Sequence, residues 1–205
     1  MSNSTVSSSI PDGAFEVLWT YLNKRATFIG NDRQSVRSAF LFRRLAADAF
    51  LQRAGDVTHH AAFVVRGCLR TYVIDARGRE HIVQFAPETW WVADATSLNH
   101  RTPSSYFVDA IEDSELLLID QQSHQHLVET VAGYAAAFRN GLQRHAAAKD
   151  RRIVESLAMS AEERYLEFLR VYPSIAARVP QSMLAAFLGV TPETVSRIRK
   201  QRSRR

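Results

Sequence analysis

Glu193, Ser196, Arg197 and Lys200 stand three, four and seven positions apart, which places them on one face of a helix. Arginine can donate twice to guanine O6 and N7, and a carboxylate can accept from cytosine N4. A carboxylate facing a polyanion is repelled unless a donor meets it. Glu193 on this face therefore fits reading a base edge better than holding phosphate. Its other reading is stabilisation of the positive helix end, worth ~0.3–1 kcal/mol. Arg199, Lys200 and Arg202, with Arg204 and Arg205 beyond, suit phosphates or solvent. Gln181 and Ser182 suit a phosphate as well as they suit a plain helix start.

The elements around these residues read as a helix-turn-helix. Helices are expected over 181–188 and 192–201, with Gly189 supplying the permissive backbone of the turn. Ala185 is the small residue where two helices touch. Leu184, Leu188, Val190, Val195 and Ile198 are the apolar plugs. Thr191 is an N-cap, and Pro192 fits the first helical position, where its missing N–H costs nothing. Upstream, Ser160-Ala161-Glu162-Glu163 is a capping box that starts another helix near 161. Charge is placed to match. The 205 residues hold 26 Lys+Arg and 21 Asp+Glu, and residues 160–205 hold nine and four of these, so the whole excess of +5 lies there. Such asymmetry points to a polyanion partner, here double-stranded DNA, or to a plain basic tail.

The first 120 residues differ. Residues 1–12 read as a disordered lead. Helices are expected near 13–26 and 32–38. Short apolar or alternating runs then follow from Phe40 to Ile119, punctuated by Gly55-Asp56, Arg66-Gly67, Asp75 to Gly78 and Pro87. Many short strands at regular intervals imply an antiparallel roll or barrel. After Asp120 the steps become three and four: Leu127, Val131, Tyr134, Phe138 and Leu142, then His145, Lys149 and Ile153. This predicts one long helix over 121–158, weakened by Gly133 and Gly141. Its seam is near the coiled-coil period and suits a second copy of the chain, or else packs on its own roll. The expected domains are thus 13–120, 121–158 and 160–205.

The layout resembles the Crp/Fnr family of bacterial transcription regulators over about residues 13–202. The likeness rests on Phe63-Val-Val-Arg-Gly67-Cys-Leu-Arg70 with Asp75 to Gly78, on Ala110-Ile-Glu-Asp-Ser-Glu115, on the long helix, and on Glu193-Thr-Val-Ser196-Arg197. It implies an α+β fold: an antiparallel β-roll of the cyclic-nucleotide-binding jelly-roll type, a long dimerisation helix, and a C-terminal winged-helix or helix-turn-helix domain. It further implies a homodimer on a near-palindromic site, with Glu193, Ser196 and Arg197 reading a TTGA-type half-site, and RNA polymerase as a partner. Pro192 stands where relatives often carry arginine, so the flanking contact differs.

In cyclic-nucleotide-binding relatives a Gly-Glu pair and an Arg before Ser/Thr-Ala hold the ribose and the phosphate. Here Ala93-Asp94 and Ser104-Ser105-Tyr106 stand there, and Arg101 has the wrong spacing. Tight binding of a cyclic nucleotide is not expected. A small-molecule effector pocket, if the roll keeps one, would be lined by Phe85, Trp90, Trp91, Asp94 and Tyr106. Those aromatics equally suit an ordinary core. One cysteine, Cys68, excludes a cysteine-ligated iron–sulfur cluster. A cupin-like metal enzyme is disfavoured, because His59-His60 and Glu80-His81 are adjacent and point to opposite faces of a strand. An effector-binding roll without DNA function is the remaining alternative, and no enzyme activity is expected. No run of about 18 apolar residues suggests a membrane span. The Ser-rich start lacks an apolar signal core, so a cytoplasmic location is expected.

Overall fold

A computed structural model describes residues 6–202, without the side chains of 144–149. Helix α1 (Asp12–Asn23) and helix α2 (Asp32–Ser38) precede eight strands: β2 (Leu41–Leu45), β3 (Phe50–Gln52), β4 (His60–Arg66), β5 (Leu69–Ile74), β6 (Glu80–Ala86), β7 (Trp91–Val92), β8 (Phe107–Ala110) and β9 (Ser114–Asp120). Helix α3 (Ala95–His100) lies between β7 and β8. An edge strand β1 (Val6–Ser7) comes first. The strands form an antiparallel five-stranded sheet, ordered β1-β2-β9-β4-β7, and a four-stranded sheet, ordered β3-β8-β5-β6. This is the expected roll.

Strand β9 shows how sequence builds it. Side chains alternate across a strand. Leu116 and Leu118 join Leu45, Ala62, Val64, Leu69 and Val108 in one core. Leu117 and Ile119 join Phe42, Phe63 and Val65 in another, closed by Phe15, Leu18 and Leu22 of α1. Both faces of β9 are covered, hence its unbroken apolar run. Gly67 turns β4 into β5 at φ +93°, where a Cβ would stand 2.3 Å from Ser114 Oγ.

The disordered lead is corrected from residue 6 onward. Val6 pairs with Arg43 and Ser7 with Phe42, and buried Ile10 fills the core beside α1. Two paired residues and one apolar plug suffice to fix a segment that composition alone reads as loose. Residues 1–5 lie outside the described residues.

The single helix over 121–158 is also corrected. It is two helices, α4 (Gln121–Thr130) and α5 (Ala132–Ala158), broken at Val131, whose backbone is extended (φ −121°, ψ 94°). Asp120 caps α4 by accepting from the Ser123 N–H at 2.7 Å. Leu127, Val131 and Tyr134, expected on a seam between copies, are buried in their own roll with Phe15 and Phe63. The chain turns at Val131 to bring them there. Gly133 makes the turn possible, since a Cβ would stand 2.5 Å from the Thr27 carbonyl oxygen. Phe138 and Leu142 remain exposed.

Four helices follow: α6 (Ala161–Val171), α7 (Pro173–Ala176), α8 (Gln181–Leu188) and α9 (Pro192–Arg202). Among the described residues no strand follows Asp120, so this end is a helix-turn-helix without a strand wing of its own. By contacts the chain divides into two units, Met1–Thr71 with Ala86–Gln143, and Tyr72–Phe85 with Arg144–Arg205.

Candidate nucleic-acid interface

The second unit is locally determined. The capping box that starts α6 is formed in both directions: Ser160 Oγ accepts from the Glu163 N–H, and the Glu163 carboxylate accepts from the Ser160 N–H at 2.8 Å. These bonds hold the Glu163 carboxyl below its ordinary range. Helix α8 ends at Gly189, which is left-handed (φ 68°, ψ 34°) as the turn requires. Thr191 then starts α9, its Oγ1 accepting from the Thr194 N–H. Ala185 is buried where α8 meets α9. Leu184, Leu188, Val195 and Ile198 bury with Tyr165, Phe168 and Ile175. Val190, expected as a plug, is only half-buried.

With Val195 and Ile198 inward, the other face of α9 is solvent-facing. Glu193, Arg197, Arg199, Lys200 and Arg202 are exposed and Ser196 is half-buried. Glu193, Ser196, Arg197 and Lys200 line one open surface hollow with Gln201. Among the described residues no carboxylate pairs with Arg197, Lys200 or Arg202. The Glu193 carboxylate accepts from its own N–H and from the Thr191 hydroxyl, which lowers its pKa and keeps it charged. Glu193 thus steadies the helix start while staying open to solvent. Arg204 and Arg205 lie outside the described residues.

Two helix-start residues separate. Ser182 is exposed. The Gln181 amide donates to the Pro192 carbonyl at 2.8 Å, tying the start of α8 to the start of α9. That makes Gln181 a brace within the motif, a role its position at a helix start does not disclose. Arg152 was not legible either. Its guanidinium donates to the carbonyls of Ile82, Val83 and Phe187 and stacks 3.7 Å from the Phe187 ring centroid. Nothing in the run Arg151-Arg152 marks one as half-buried.

The five residues expected around an effector each have a local role. Trp91 packs on Phe40 and Phe63, while Trp90 packs against the other core. Phe85 belongs to an aromatic cluster with Phe168 and Phe187 in the second unit. Asp94 caps α3, accepting from the Thr96 and Ser97 N–H groups. Tyr106 donates its backbone N–H to buried Ser104. Trp90, Trp91 and Phe85 each pack within a core or cluster of their own unit.

Comparison with known proteins agrees with this architecture. The cyclic nucleotide-binding domain family matches residues 42–131. Among solved structures, CLP, a c-di-GMP responsive global regulator of Xanthomonas campestris, superposes with a TM-score of 0.67 at 17% identity, covering 84% of this chain and 91% of its own. FixK2 from Bradyrhizobium japonicum gives 0.66 at 19%, covering 78% and 82%. The fold is that of the Crp/Fnr transcription regulators. A regulator of that family from Eubacterium rectale gives 0.64 at 16%, covering 83% and 81%. No curated protein sequence matches significantly. The Crp/Fnr arrangement places a cyclic nucleotide-binding roll before a helix-turn-helix, the order found here. No described helix is long and apolar enough to cross a membrane.

Proposed function

We propose that this protein is a sequence-specific DNA-binding transcription regulator that acts as a homodimer in the cytoplasm. One observation carries the reading: the outward face of α9 presents Glu193, Ser196 and Arg197 to solvent, with Arg197 paired to no carboxylate among the described residues. A recognition helix enters the major groove with its N-terminal residues at the base edges, where these three stand. They would read a TTGA-like half-site, with Ser182, Arg199, Lys200 and Arg202 on phosphates. Residues 13–120 then serve as the sensor, 121–158 as the dimer element and 160–205 as the DNA domain.

Exposed apolar residues on α5 support the dimer. Phe138, Leu142, Ile153, Val154 and Leu157 are 41%, 58%, 59%, 61% and 83% exposed. A helix leaving this much apolar surface in water favours a partner, and two-fold pairing sets two recognition helices about 34 Å apart on a near-palindrome. Occupancy of a promoter would then help or hinder RNA polymerase. Cyclic nucleotide is not the expected signal, because Asp94 is spent on capping α3 and Ser104 stands where relatives carry the phosphate-holding arginine.

Selection of bound sequences from a random DNA library tests the reading. Enrichment of a two-fold motif is expected. Arg197→Ala should then cost about 1–3 kcal/mol per half-site and flatten preference at one position. Arg202→Ala should weaken all sequences alike and reduce the salt slope by about one unit. No enriched motif, or two variants with the same effect on matched and mismatched sites, refutes it. The first result would leave an effector-binding roll without DNA function.

A further inference from the structure

The second unit contains a cavity of about 240 Å³, walled by the end of α5, by α6, by the last turn of α8 and by His81 and Ile82 of β6. One side is aromatic. Phe168, Tyr172 and Phe187 pack on one another with ring centroids 5.3–6.1 Å apart. Another side is cationic, formed by Arg151, Arg152 and Arg164. Among the described residues their compensation is incomplete. Arg151 meets Glu155 at 3.5 Å, but the wall's other carboxylate, Glu167, is bound to Arg170 at 2.7 Å. Arg152 donates to three carbonyls, and Glu155 is the carboxylate that acts on its charge as well as on Arg151. Arg164 donates through Nη1 to the Met159 carbonyl, while its buried Nε meets no acceptor among the described residues. A buried N–H without an acceptor costs free energy that a suitably placed anion or water recovers.

We propose that this cavity binds a small one-ring aromatic carboxylate, its ring on the Phe168–Tyr172–Phe187 wall and its carboxylate at Arg164 and Arg151. Size restricts the class. The volume lies below the ~300–1,000 Å³ typical of drug-sized sites. Inorganic phosphate would meet the guanidinium groups and leave the aromatic wall wet. Leu188 and Gly189 also line the cavity, and they lead into the turn before α9. Occupancy would therefore be felt at the recognition helix. That consequence rests on the DNA-binding reading; the binding itself does not.

The test is calorimetric titration of the full chain with benzoate as the probe. Acetate (charge without ring), benzyl alcohol (ring without charge) and inorganic phosphate are the comparators. Benzoate should saturate at about millimolar concentration or below, as its few atoms permit. Each comparator should bind at least about tenfold more weakly. Arg164→Gln should weaken benzoate by about tenfold or more, the loss of one charge-assisted bond. Its far-UV circular dichroism should be unchanged. If that variant misfolds, Arg151→Gln, at a half-exposed side chain, gives the same readout. Benzoate binding no better than acetate or phosphate overturns the proposal. So does affinity unchanged in the variant that folds. DNA affinity measured with and without benzoate then separates the claims: binding without any change in DNA affinity removes only the coupling to α9.

Discussion

Gly133→Ala and Gly141→Ala, made separately, should shift stability in opposite directions. Both glycines lie in α5, where intrinsic preference favours alanine by about 1 kcal/mol in a helix interior. At Gly141 the added methyl meets Tyr21 Oη at 3.3 Å, the far end of a side chain that can pivot by a few tenths of an ångström. A net gain of about 0.5–1 kcal/mol is expected there. At Gly133 the methyl would stand 2.5 Å from the Thr27 carbonyl oxygen and 2.9 Å from a Phe28 ring carbon. The first of these is backbone, so relief requires moving α5 off its support. Overpacking of this kind costs about 1–3 kcal/mol. The first turn of a helix collects little of the propensity gain, so a net loss of about 1–2 kcal/mol is expected. Urea unfolding followed by tryptophan fluorescence is the assay. Trp19, Trp90 and Trp91 all report on the unit that holds both glycines. With a slope of about 2 kcal/mol per molar urea, the midpoint should fall by about 0.5–1 M for Gly133→Ala. It should rise by about 0.3–0.5 M for Gly141→Ala. Midpoints moving the same way in both variants would refute the argument that the Thr27 contact fixes the break at Val131.

Two further outcomes follow from burial. Leu142→Glu, at a side chain in water, should leave the fold intact and raise the dimer dissociation constant in sedimentation; Leu127→Glu, at 1% exposure, should unfold the roll instead. If both behave alike, the division of the apolar series between core and partner is wrong. His124 stands with Nδ1 2.9 Å from Tyr134 Oη, and burial depresses its pKa. The unfolded chain then takes up a proton near pH 6.5 and the folded chain only at lower pH, so stability is full above that value and falls on acidification. His60, depressed by burial as well, adds to the same slope. His124→Gln should lose less stability than the parent between pH 7.5 and 5.5 in urea titrations, and equal losses would exclude the residue as a source.

The parts legible in the sequence are those fixed by neighbours in the chain. Ser160 to Glu163, Gly189 and Thr191-Pro192 act over three or four positions, and α8 and α9 fall where those signals put them. The face of α9 followed from periodicity, because Val195 and Ile198 had to turn inward. The break at Val131 was not legible. Steps of three and four run through it unchanged, since Leu127 and Tyr134 are apolar whether they meet a roll or a second copy. What decides is Thr27, more than a hundred positions away. Arg152 is the same case, with acceptors 35, 69 and 70 positions distant. Strand β1, two residues long, is too short to carry a period.

Under the proposed function, Glu193 would serve both readings given to it. Its own N–H and the Thr191 hydroxyl favour the ionised form, so approach to a phosphate backbone would not be eased by protonation. Under the proposed function, a charged carboxylate at the groove repels every sequence alike, and only a base with a donor in reach offsets the repulsion. Discrimination then comes from a cost imposed on wrong sites as much as from a bond made to the right one. The exposed charges of Arg197, Lys200 and Arg202 would supply the general attraction against which that cost is set. A face made of cations alone would bind more sequences and distinguish fewer.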